Sequence, residues 1–120
     1  MAMARRFLLK AEAMMRESFP DKAGRAAYYA AFHSAQAMIY RRSGKALKTH
    51  KGVHTEFYRI VRDIPGPKPW GFLRRAYVMK TVTDYGPDPR LTVTEERPRA
   101  AIEIARVFVD AVAEVIASAD

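Results

Sequence analysis

Between Pro20 and Gly44 the chain carries Ala23, Ala26, Ala27, Ala30, Ala31, Ser34, Ala35 and Ala37. Residues this small leave most of a helix's circumference narrow, so neighbouring backbones can approach it closely. The stretch predicts a helix from about Lys22 to Arg42 at the centre of a helical bundle. Tyr28, Phe32, Ala35 and Ile39 make one bulky stripe on it, and Arg25, Tyr29, His33, Gln36 and Tyr40 line a second face at steps of three and four. Pro20 and Asp21 read as a stop and a new N-cap. Gly44 supplies a left-handed C-cap.

The other segments repeat this helical logic around that centre. From Met3 to Ser18, Phe7, Leu8, Ala11, Met14 and Met15 recur at helical spacing among Arg5, Lys10, Glu12 and Arg16, which makes an amphipathic surface helix. Lys45 to Thr49 is a basic connector, and Thr49 or His50 opens a third helix with Val53, Phe57, Ile60 and Val61 on one side. Pro65, Pro67 and Pro69 are expected to end it and to form a stiff loop before Trp70. A fourth helix carries Phe72, Leu73, Ala76, Tyr77, Met79 and Lys80 toward Asp84-Tyr85, and Gly86-Pro87-Asp88-Pro89 breaks the chain again. The last helix begins between Thr94 and Pro98 and sets Ile102, Ala105, Phe108, Val109, Val112, Val115 and Ile116 on one face. About five helices with short connections, and no alternating β-branched run, give an all-α, up-and-down bundle. At 120 residues it reads as a single domain over 1–120.

Half the residues are apolar, enough for a packed core. Cysteine is absent, which excludes disulfides, thiolate metal sites and thiol nucleophiles. The first fifteen residues have no apolar run long enough for a signal peptide or a membrane span, so the expectation is a cytoplasmic protein with no membrane association. A net charge of +8 is large for this length and attracts polyanions. Its basic residues are spread from Arg5 to Arg106, so the excess belongs to a folded face rather than to a tail.

Most familiar chemistries find no support. His50 and His54 stand four apart at a helix start, with His33, Glu56 or Asp84 as third ligand, but the His-Glu-x-x-His pattern is missing and no metal or cofactor is expected. Gly24, Gly44 and Gly52 are isolated, so no phosphate loop exists, and no serine occupies a nucleophile elbow. Glu95-Glu96 read as first-turn acids that suit a helix dipole. What remains is a set of basic, imidazole and phenol groups: Arg25, Tyr29, His33, Lys48, His50, Lys80 and Tyr85. Metal-free RNA cleavage uses such groups, one to take the 2′-hydroxyl proton, one to steady the phosphate and one to protonate the leaving oxygen. The opposing expectation is that Tyr28, Phe32 and His33 are core and the cations solvated.

Arg25-x-x-Tyr28-Tyr29-Ala30-x-Phe32-His33, then Lys48-Thr49-His50-Lys51-Gly52-Val53 with Phe57, then Asp84-Tyr85, resembles the HEPN domain, in its small stand-alone prokaryotic branch. The resemblance extends to Ala105-x-x-Phe108-Val109 in the closing helix. It implies an up-and-down bundle, a homodimer with a cleft across its two-fold, and association with RNA or nucleotide. It also implies a minimal nucleotidyltransferase partner in a toxin–antitoxin arrangement, with Tyr85 as the tyrosine that the partner would modify. Active members are metal-independent ribonucleases that place a histidine four to six residues after an arginine. This chain departs: seven residues separate Arg25 from His33, and seven separate Arg42 from His50. Lys80 and Asp84 stand where that motif would fall, and lysine lacks the guanidinium fork. The candidate catalytic set is therefore Arg25, His33, His50, Lys80 and Asp84, and the candidate RNA- or nucleotide-binding set is Tyr29, Lys48, Thr49, Lys51 and Arg75. The favoured expectation is association with RNA, nucleotide or a nucleotidyltransferase. The alternatives are an active metal-independent ribonuclease and a purely structural interaction domain.

Overall fold

The structure is a computed structural model that describes residues 1–66, 68–84 and 96–118, with side chains described for all of these except 81–84, 96 and 97. It contains α1 (Ala2–Arg16), α2 (Pro20–Ser43), α3 (His50–Val61), α4 (Phe72–Asp84) and α5 (Glu96–Ser118), with a 3₁₀ turn at Pro69–Gly71 before α4. No strand occurs among the described residues, so the all-α expectation holds. None of these helices is long and apolar enough to cross a membrane.

The alanine-rich helix is the hub of the bundle. α2 packs against all four other helices, and Ala23, Ala27, Ala30, Ala31, Ala35, Met38 and Ile39 have no accessible surface. α1 answers with Ala4, Leu8, Ala11 and Met15, and α5 with Ala105, Phe108, Val109 and Val112. Phe108 is the aromatic keystone of the far end, with its ring centroid 5.3 Å from Phe57, 5.8 Å from Trp70 and 6.2 Å from Phe72. Truncating a buried ring of this kind typically costs about 3–5 kcal/mol. Arg5 meets Asp110 at 2.6 Å and Arg106 meets Glu12, pairs that tie α1 to α5 on the surface. Such exposed pairs contribute at most about 1 kcal/mol each, so the apolar contacts decide the packing.

The corner between α1 and α2 differs from the sequence expectation. Pro20 is the first residue of α2 rather than a stop, and Asp21 lies in its first turn rather than at the N-cap, which is Phe19. What ends α1 is Ser18, which takes φ 63°. Its amide donates to the Met15 carbonyl at 3.1 Å, and the Phe19 amide donates to the Met14 carbonyl at 2.8 Å. This is the Schellman pattern, with serine in the left-handed position usually given to glycine. Proline follows where its fixed φ and missing N–H suit the first helical turn. The turn is short enough to lay α1 and α2 side by side and antiparallel.

The other end of α2 matches expectation: Gly44 has φ 71° and its amide donates to the Tyr40 carbonyl at 2.8 Å. Thr49 caps α3, its hydroxyl oxygen accepting from the Gly52 amide at 3.0 Å. The third helix stops at Val61, ahead of Pro65, so the prolines follow the end rather than make it, and Pro69 opens the 3₁₀ turn. The start of α5 at Glu96 falls within the predicted window.

Candidate functional site

The residues singled out on α2 do gather, but not in one cluster. They split into a groove on the α1 side and a buried polar knot on the α3 side, and Tyr29 lies between them.

The groove forms between the antiparallel α1 and α2. It has a volume of about 530 Å³ and is lined by Phe7, Lys10 and Met14 from α1 and by Lys22, Arg25, Ala26, Tyr29 and His33 from α2. Lining positions on both helices recur at three and four, so one face of each helix builds one wall. Three of the eight lining residues are cationic and none is acidic. The Tyr29 ring has the Arg25 guanidinium 6.0 Å from its centroid and the Lys80 ammonium 5.9 Å away. Phe7 packs on this ring at 5.7 Å and lies nearly parallel to the His33 imidazole at 5.2 Å. Charge above and aromatic faces below is the combination that holds a nucleotide by phosphate and by base.

His33 is held from its other edge. Its Nδ1 lies 2.7 Å from Oε1 of Gln36, and Nε2 of Gln36 donates to the Leu47 carbonyl at 2.9 Å. Gln36 thus bridges the imidazole to the connector that follows α2, a role the face pattern of α2 hinted at but did not specify.

The knot centres on Tyr28, which has no accessible surface. Its hydroxyl lies 2.7 Å from Nδ1 of His50 and 3.0 Å from Nε2 of His54. Burial pushes the phenol well above its ordinary range, helped by the neighbouring tyrosines Tyr29, Tyr77 and Tyr58, so it keeps its proton. Burial also depresses the imidazoles: His54 is lowered to about 4, with His50 and Arg74 adding to the effect, and His50 is lowered by burial and then by Lys80. Near neutral pH all three groups are uncharged. A phenol has one hydrogen to give and lone pairs to receive, so it donates to one imidazole and accepts from the other. Sequence alone places Tyr28 in the core and offers His54 only as a metal ligand. Core it is, but its oxygen pins the head of α3 onto α2. The two histidines considered as metal ligands turn a nitrogen each toward that oxygen, His33 faces Gln36, and Glu56 pairs with Arg59. Among the described residues no group of three His, Asp or Glu could hold a metal ion.

The remaining candidates fall elsewhere. Lys48 and Lys51 are exposed around the start of α3, outside the groove lining. The Thr49 hydroxyl is engaged as the α3 cap. Arg75 is exposed on α4 with its guanidinium over Gly71, where an added Cβ would meet it at 2.8 Å. Asp84 ends α4 but its side chain lies outside the described residues, as does the whole of Tyr85. Phe7, Lys10, Met14, Lys22 and Ala26 are the groove residues that sequence alone assigns to no site. Phe7 and Met14 fall on the apolar stripe of α1 and Lys10 among the charged residues between, and nothing local tells which helix they meet.

The comparison with known families agrees with this architecture. No curated protein matches the chain. The HEPN domain family matches residues 1–115, which takes in every helix named above except the last residues of α5. The all-α bundle and that match together place the chain in the HEPN domain family.

Proposed function

We propose that this protein binds single-stranded RNA or a nucleotide in the groove between α1 and α2. The observation that carries this reading is the lining itself: Lys10, Lys22 and Arg25 beside Phe7, Tyr29 and His33, with no carboxylate among them. A groove of about 530 Å³ suits one nucleotide unit rather than a duplex. The chain's charge of +8 supports attraction of a polyanion to the surface around it. The roles follow from position. Arg25 and the two lysines meet phosphate, Tyr29 and Phe7 meet the base, and Lys80 adds charge across the Tyr29 ring.

Membership in the HEPN family supports the wider setting that we infer: a homodimer acting beside a minimal nucleotidyltransferase, as in a toxin–antitoxin pair. His50 is a weaker candidate base than His33, because it lies outside the groove lining and its Nδ1 faces the buried Tyr28 hydroxyl.

The test is to incubate the purified protein with labelled single-stranded RNA in EDTA at low salt. RNA retained intact supports the binding reading. RNA cut into fragments, with the cutting lost in His33→Ala, would replace it with the ribonuclease reading. Neither retention nor cutting would leave partner binding as the function.

A further inference from the structure

We infer that the α1–α2 groove is one half of a longer site, whose ligand is a single-stranded stretch of at least about four nucleotides rather than a free nucleotide. The second half runs along α2 past His33 to Tyr40, beside the connector that leads into α3. The inference rests on the groove being the nucleic-acid site.

Burial on α2 draws the path. Between Arg25 and Tyr40 every residue of α2 is buried except Tyr29, His33, Gln36 and Ala37. At 3.6 residues per turn, Lys22, Arg25, Tyr29, His33, Gln36 and Tyr40 fall within about 80° around the helix axis. They make one open strip, about 27 Å long at a rise of 1.5 Å per residue. The groove takes up the first part of this strip and ends at His33.

The wall of the strip changes at His33. On one side Phe7 of α1 stacks on the imidazole at 5.2 Å. On the other, Nδ1 faces Gln36, whose amide nitrogen donates to the Leu47 carbonyl. The connector thus turns back at Gly44 and comes alongside Gln36 at Leu47. It ends at His50, whose ring centroid is 5.0 Å from Phe32 and 6.2 Å from Tyr29. α1 therefore borders the strip up to His33, and the connector borders it beyond.

Charge follows the same path. From Lys22 to Thr55 there is no Asp or Glu, and this segment holds seven cations, nearly all of the net charge of +8. Lys45, Lys48 and Lys51 are exposed along the connector and the start of α3. Tyr40 is 63% exposed and offers an aromatic face at the far end, as Tyr29 does within the groove. Cations interleaved with aromatic faces along a strip hold a single strand without reading its sequence. A free nucleotide occupies the groove and leaves the connector half unused, whereas a strand meets both halves.

The experiment measures how tightly uridine strands of two, four, six and eight nucleotides bind the full chain at low salt. Each competes with a labelled eight-nucleotide strand in fluorescence anisotropy. Affinity should rise from two to six nucleotides by about fivefold or more, the low end of one base–aromatic stack, and then level off. Tyr40→Ser should weaken the eight-nucleotide strand by about fivefold and leave the dinucleotide unchanged. Lys48→Gln should do the same more mildly, with a shallower salt dependence for the long strand only. Both side chains are exposed, so neither variant threatens the core. Arg25→Gln, within the groove, should weaken both lengths. A dinucleotide that binds as tightly as the eight-nucleotide strand would overturn the inference and leave the groove reading standing. Equal losses at both lengths in Tyr40→Ser, or no loss in either connector-half variant, would do so too. If no strand binds, or if Arg25→Gln weakens neither length, the groove reading itself fails, and the inference with it.

Discussion

The hydroxyl of Tyr28 lies 2.7 Å from Nδ1 of His50, although the two residues belong to different helices. His54, one turn further along α3, reaches the same oxygen at 3.0 Å. The pair fastens α3 to the central helix through a phenol with no accessible surface. Tyr28→Phe keeps the ring and deletes the oxygen, leaving two half-buried imidazoles without their shared partner. The expected loss is about 1–3 kcal/mol of unfolding free energy, read from urea denaturation. An unchanged midpoint would show that water replaces the hydroxyl at no cost.

The same knot makes stability depend on pH. In the folded protein His54 is lowered from 6.5 to about 4, chiefly by burial, and His50 is lowered in the same direction. A histidine whose folded value is depressed favours folding in its neutral form. Its contribution is complete above the ordinary imidazole value and is lost as pH falls from 6.5 toward about 4. Urea midpoints should decline across that window, and less steeply in His54→Gln. Equal slopes for the two proteins would assign the acid sensitivity to other groups.

The two ends of the central helix's connections offer a contrast at the backbone. Ser18 and Gly44 both occupy the left-handed region, at φ 63° and 71°. Gly44→Ala puts a Cβ where that conformation costs about 1 kcal/mol, while Ser18→Gly relieves a similar strain. Thermal unfolding should therefore move down for the first variant and up for the second. Movement of both in the same direction would contradict this account of the caps.

Much of the fold was legible in local periodicity. The alanine girth marked α2 as the centre, Gly44 declared its cap, the start of α3 fell at the Thr49–His50 boundary, and the Ile102 to Val115 stripe is buried as its spacing required. The α1–α2 corner was misread because proline is both a helix stop and a favoured first residue. The left-handed conformation of Ser18 decides between these, and serine does not advertise it. The site was legible only in halves. The row Arg25, Tyr29, His33 is visible as a face of α2, whereas Phe7 and Met14 read as apolar stripe and Lys10 as a charged residue between; that these side chains share one groove is a tertiary fact. Tyr28 and His54 were overlooked because a phenol in an apolar stripe gives no local sign that an imidazole pair 22 and 26 residues away will meet it.

Tyr29 is the ring shared by the groove and the knot, with cations at 6.0 and 5.9 Å. As the base platform, Tyr29→Ala should weaken RNA binding by about 1–3 kcal/mol, the usual worth of one base–aromatic stack. Tyr29→Phe should retain nearly all of it, since the face and not the hydroxyl makes the contact. A large loss in Tyr29→Phe would point instead to a hydrogen-bonding role for the phenol. Fluorescence anisotropy with a short labelled strand measures both.

The central claim is that the cations of the α1–α2 groove hold RNA phosphate. It is tested most directly by the salt dependence of that same anisotropy titration, from about 50 to about 200 mM salt, for the unaltered protein and for Arg25→Gln. The account predicts that the logarithm of affinity falls linearly with that of salt concentration, and that Arg25→Gln reduces the slope by about one, as loss of one phosphate contact should. A slope left unchanged by Arg25→Gln, or affinity indifferent to salt, would contradict it.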